Sequence, residues 1–125
     1  MNITITTIPH KAQRYPTAGD WQIDTLGNLL ITISALGDWR YEFLVALHEL
    51  VEVVLCIARG IPQDIVDAFD MAWQEHDGLE EPGDDPAAPY HKEHQLAECF
   101  ERWAAVLLLV KWRDYEKALD ALYAS

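Results

Sequence analysis

Positive charge is scarce in this chain: nine lysines and arginines stand against 21 aspartates and glutamates in 125 residues, a formal charge of −12. A body so charged repels phosphate backbones and anionic lipid surfaces, so neither nucleic acid nor a membrane is an expected partner. Cysteine is scarce too. Cys56 and Cys99 form no C-x-x-C pair and lie in apolar helical patterns, which reads as reduced core thiols in a cytoplasmic protein. There is no basic leader followed by an apolar segment, and no apolar run approaches the roughly 20 residues that span a bilayer. Internal repeats, a nucleophilic serine elbow, a P-loop and a dinucleotide fingerprint are all missing. What remains is ample apolar material, half of the residues with five tryptophans, enough for one core and hardly two. A single domain over residues 1–125 is expected.

The periodicities predict an α+β fold, with a small N-terminal antiparallel sheet over 1–36 and about four helices over 38–125. "NITITTI" alternates like a strand until Pro9 ends it, and "DWQID", "TLGN" and "LLITIS" read as a hairpin from Trp21 to Ser34 with a Gly-Asn turn. From Asp38, a reasonable N-cap, the pattern becomes helical from about Trp39 to Arg59, where Gly60 and Pro62 stop it. A second helix is expected from Pro62 through "QDIVDAFDMAWQEH". The segment 77–89 then brings three prolines, two glycines and five acidic groups, and is expected to be an exposed loop. Its acidic core, Glu80 to Asp85, is either a solvated turn or a lid or cation-attracting rim. A third helix should span about Tyr90 to Lys111, and "WRDYEKALDALY" a fourth. Trp103 and Trp112 read as core, His10 and His76 as solvated.

The chemistry concentrates in "FLVALHELVEVVLCIA", residues 43–58, where only His48, Glu49 and Glu52 interrupt an apolar helix. A buried carboxylate needs a charged partner, hydrogen bonds or a metal. His48 and Glu52, four residues apart, project from one helix face, as chelation by a single helix requires. "LVALHELVEVVL" resembles the active-site helix of zincin metallopeptidases, in which H-E-x-x-H supplies two zinc ligands and a glutamate that activates water. Glu52 stands here where that motif has its second histidine. "HKEHQLAECFERWAAVLLL" is similar to the later segment of small intracellular zincins, including those that cleave phage repressors, with His94 at the ligand position and Ala97 and Phe100 following. The resemblance implies zinc held by His48, Glu52 and His94, Glu49 as general base, and a peptide or protein substrate. His91 and Glu98, one turn either side of His94, are alternative ligands or supporting partners.

Three other readings use the same residues. Glu49, Glu52, Asp67 and Asp70 are similar to the paired acidic motifs of the all-α NTP pyrophosphatases, which implies magnesium. The chain also resembles small uncharacterised proteins of tailed phages, which leaves room for a non-catalytic acidic binding protein. In the blandest reading, the three polar groups are satisfied inside the core by Arg59, Arg102 or tyrosine hydroxyls. The apolar stripe of "DYEKALDALYA" either packs on its own core or makes a homodimer contact.

Overall fold

Leu29, Ile31 and Ile33 take alternate positions of β3 (Leu29–Ser34), and all three are buried. Their spacing by two puts them on one face, which the long first helix covers. The description that follows is of a computed structural model, which describes residues 1–76, 78, 79 and 81–124. β2 (Gly19–Ile23) pairs antiparallel with β3, Trp21 opposite Ile31. The turn between them is built on Asp24, whose carboxylate accepts from the amides of Leu26 and Asn28, with Gly27 at φ 80. That left-handed conformation favours glycine.

β1 (Ile3–Ile8) corrects the expected topology: it joins the other edge of β3 in parallel, Ile3 opposite Leu29 and Ile8 opposite Ser34, so the sheet is mixed, in the order β1-β3-β2. Parallel neighbours need a crossing connection. The chain supplies it after Pro9. A 3-10 turn at His10–Ala12 and Gln13 are tied across β3 by His10 to the Ser34 hydroxyl (2.9 Å) and by Gln13 to the Thr32 carbonyl (3.2 Å). His10 is thus half-buried and bonded, not solvated; His76 is exposed as expected.

α1 (Trp39–Ala58) starts at Asp38, whose side chain accepts from the Arg40 amide at 2.9 Å, and ends before Gly60 at φ 71. Leu44, Val53 and Cys56 are wholly buried in the core that includes Ile31 and Ile33; each large aliphatic side chain so placed is worth about 1.5–3 kcal/mol over leaving it in water. α2 (Gln63–Ala72) is shorter than expected. Trp73 leaves it in extended conformation, and its indole donates to Asp85 (3.3 Å), so the stretch to His76 runs toward the acidic loop rather than on as helix.

α3 (His91–Leu107) and α4 (Trp112–Tyr123) complete the fold, and α3 is the element most extensively packed on α1. α3 stops short of Lys111 because Leu109 takes a left-handed conformation (φ 58) and the Val110 amide returns to the Ala105 carbonyl. Two expectations about its outer face are corrected. Trp103 and Cys99 are exposed, while Cys56 is buried and Trp112 half-buried. Within the acidic loop, Asp77 and Glu80 lie outside the described residues. The described part is less exposed than expected: Gly83 and Ala88 are buried, and the 3-10 turn Pro82–Asp84 packs on α3. Among the described residues no helix is long and apolar enough to cross a membrane.

Candidate metal centre

α1 and α3 run antiparallel, as two contacts fix: Arg59 reaches Glu93 at 2.6 Å near one end, and His48 reaches Glu101 at 2.7 Å further along. Between these contacts His94 comes down on the His48 and Glu52 face. His48 Nε2 lies 3.1 Å from Glu52 Oε2 and 3.1 Å from His94 Nδ1, and His94 Nδ1 lies 3.0 Å from Glu52 Oε2. Three potential ligand atoms on buried side chains therefore form a nearly equilateral triangle. Zinc bound to nitrogen and oxygen at about 2.0–2.1 Å sets tetrahedral ligand atoms about 3.3 Å apart, so the triangle is nearly of the size the ion demands. The nitrogen-to-nitrogen edge is the telling one. Two N–H groups cannot point at each other across 3.1 Å; the pair needs a shared proton or a shared cation.

The remaining atoms of these side chains are also held. His48 Nδ1 donates to Glu101 Oε1, and the other Glu101 oxygen accepts from the Tyr115 hydroxyl of α4. With Nδ1 so engaged, the neutral imidazole of His48 turns a lone pair at Nε2 toward the triangle. His94 Nε2 faces Asp84 Oδ1 at 3.1 Å and Glu81 Oε2 at 3.3 Å, which leaves its Nδ1 for the triangle. Trp21 donates to Glu52 Oε1 at 3.4 Å. Gly83 lies flat on the His94 ring: a Cβ there would stand 2.3 Å from ring atoms, so only glycine lets the loop approach this closely.

The charges reinforce one another. Burial raises the cost of ionising Glu52, yet hydrogen bonds to His48 and His94 bring its pKa down to about 2. Burial opposes charge on both imidazoles, but for His48 the bonds to Glu101 and Glu52, and for His94 those to Asp84 and Glu52, push the pKa upward; with Nε2 and Nδ1 3.1 Å apart, only one of the two rings can carry a proton in the gap between them. The His94 bond likewise depresses Asp84.

Glu49 stands apart from the triangle. It packs against Gly19, where an added Cβ would come within 2.6 Å of its Cγ, and it lines a cleft of about 720 Å³ shared with Glu52, His48 and His94. Among the described residues it has no hydrogen-bond partner. Burial, then the nearby Glu52 charge, raises its pKa well above the ordinary carboxylate value.

The other candidates are placed elsewhere. His91 Nδ1 donates to the Gly83 carbonyl (2.8 Å), and Glu98, at the cleft wall, pairs with Arg102 (3.4 Å); neither belongs to the triangle. His91 still matters, since it ties down the turn that covers His94. Asp67 is paired with Arg14 (3.1 Å), and Asp70 accepts from the Tyr15 hydroxyl (3.1 Å) and from Tyr90. Among the described residues these two aspartates do not join Glu49 and Glu52 as a close group of potential ligand atoms, although all four line the same cleft. Nor do Arg59 and Arg102 reach the triangle, since they pair with Glu93 and Glu98. Sequence reasoning missed Glu101, although seven residues after His94 is two helical turns along the same face. It had no means of finding Trp21, Tyr115 or the particular loop carboxylates that face His94, which tertiary packing alone brings in.

Compared with protein-family models, with curated proteins and with solved structures, the chain matches none.

Proposed function

We propose that the chain is a zincin-like zinc hydrolase that acts on peptide bonds, with His48, Glu52 and His94 as ligands and Glu49 as general base. The observation that carries this reading is the triangle of His48 Nε2, His94 Nδ1 and Glu52 Oε2, closed at 3.0–3.1 Å and with both imidazoles held from behind by carboxylates. Two imidazoles and one carboxylate are the charge set of a catalytic zinc site. Zinc held there would supply Lewis acidity, polarising a carbonyl and making water easier to deprotonate. Glu49 would take the proton from that water. Burial and the neighbouring Glu52 charge make its carboxylate a stronger base than in water, and its lack of another hydrogen-bond partner among the described residues leaves it available. Glu101 and Asp84 position the two imidazoles, and Gly83 and Pro82 close the turn over His94.

The cleft favours a substrate with basic side chains. Among the described residues its wall includes Glu75, Glu116 and Asp120, besides Asp67 and Glu98 already paired with Arg14 and Arg102, and no lysine or arginine lines it. A cationic peptide is attracted to such a surface and an anionic one is repelled. The free thiols Cys56 and Cys99 fit a reducing, cytoplasmic setting.

The test is elemental analysis of untagged protein alongside Glu52→Gln and His94→Ala. About one zinc per chain, lost in both variants, is the expected result. Zinc-loaded protein should then cleave fluorogenic peptides containing lysine or arginine, and Glu49→Gln should keep the zinc but lose the cleavage. Absence of zinc, with no thermal shift on adding it, overturns the metal site; zinc without cleavage of any peptide overturns the hydrolase.

A further inference from the structure

The cleft occupies one side of the α1 and α3 pair. At about 100° per residue, positions two apart face nearly opposite ways. Leu47 and Val54 each stand two residues from a cleft carboxylate, Glu49 and Glu52, and Leu96, Phe100 and Trp103 stand two residues from His94, Glu98 and Glu101. These apolar side chains, with Phe43 one turn before Leu47, therefore share the back of the pair. Leu47 is half-buried against the core, but the others are not covered there: Phe100 is 51% and Trp103 66% exposed, and Phe43, Val54 and Leu96 are exposed as well. Trp39 and Leu107 continue the face at the end where α1 begins and α3 finishes.

We propose that this face is a homodimer interface, in which a second copy of the chain packs its own α1 and α3 against it. Size is the first argument. With aromatic side chains offering about 150–250 Å² each, these partly exposed groups and their neighbours amount to on the order of 800 Å² per chain, the share each partner contributes to a standard stable interface. Monomers seldom leave that much contiguous apolar surface in water. Charge is the second. The chain carries a formal charge of −12, so most of its faces would repel a second copy. This one does not, because all six carboxylates of the two helices turn elsewhere. Glu42 accepts from the Leu36 amide, Glu49, Glu52, Glu98 and Glu101 line the cleft, and Glu93 is buried against Arg59. With no carboxylate of either helix on it, and only Arg40 and Lys92 as charged groups near its ends, the largely apolar face can pack against a second copy of itself, as a two-fold interface requires. Association of two such helix pairs makes a four-helix contact and leaves both clefts open on the outside. The proposal does not depend on the metal.

Sedimentation velocity of the untagged protein over a range of loading concentrations tests it, with Trp103→Lys and Phe100→Glu alongside. The wild type should sediment at twice the 14.3 kDa chain mass, and both variants should shift to the single-chain mass with unchanged far-UV circular dichroism, since both side chains are exposed within one chain. A wild type that stays at the single-chain mass at every concentration overturns the second copy as occupant. A dimer that persists in both variants overturns the choice of face.

Discussion

His48 Nδ1 lies 2.7 Å from Glu101 Oε1, and the other Glu101 oxygen holds the Tyr115 hydroxyl, so three elements of the fold converge on one imidazole. Carboxylates behind metal-bound histidines fix the ring and raise its basicity, and their loss typically weakens metal binding 10- to 100-fold. Glu101→Gln should therefore retain the fold but release zinc to a competing chelator about 10- to 100-fold more readily than the wild type. Tyr115→Phe should do so more mildly. Equal chelator curves for wild type and Glu101→Gln would remove the positioning role.

Gly83→Ala is the corresponding test of the loop. The added methyl would meet the His94 ring at 2.3 Å, so either the Pro82–Asp84 turn or the ring must move. Overpacking of this kind costs about 1–3 kcal/mol, and here the displaced group is a proposed ligand. A lower melting temperature together with weaker zinc retention is expected, read by thermal denaturation with and without zinc. If zinc stabilises the variant as much as it does the wild type, the turn does not hold His94.

Asp70 gives the pH dependence. Burial raises its pKa from 3.8 to about 7, against the pull of the hydrogen bond from Tyr90. Below about pH 4 the folded and unfolded chains both carry the proton, and Asp70 does not change the balance. Between that point and pH 7 the unfolded chain has lost the proton and the folded chain keeps it, so stability falls as pH rises; above pH 7 the penalty is constant. Asp70→Asn lacks this term. In chelator-treated protein its melting temperature should gain on the wild type from about pH 4 to pH 7 and then hold level. A difference that stays flat across that window would falsify the half-buried, proton-holding Asp70.

Two changes in α1 separate local from tertiary stabilisation. Asp38→Ala removes the side chain that accepts from the Arg40 amide and should cost about 1 kcal/mol, as caps do. Leu44→Ala empties a wholly buried site and should cost about 2–5 kcal/mol. Urea denaturation of both variants against the wild type measures the ordering, and a reversed order would mean that the core around Leu44 collapses to fill the space.

Much of the fold was legible because its signals are local. The alternation in "NITITTI", Asp38 at the start of α1, Gly60 after its end and the helical spacing of His48 and Glu52 each depend on residues within a few positions of one another, and each is found where expected. His94 was reached through a resemblance, and the structure places it against His48 and Glu52. What the sequence could not decide is whatever depends on which element crosses which. The parallel seat of β1 is set by the His10 and Gln13 bonds to β3, and the exposure of Trp103 by the side on which α1 meets α3. Glu101 behind His48, Gly83 on the His94 ring and the hydroxyls around Asp70 are likewise contacts between groups far apart in the chain. Periodicity tells a residue which face of its own helix or strand it occupies; only the packing of elements on one another tells that face what it will touch.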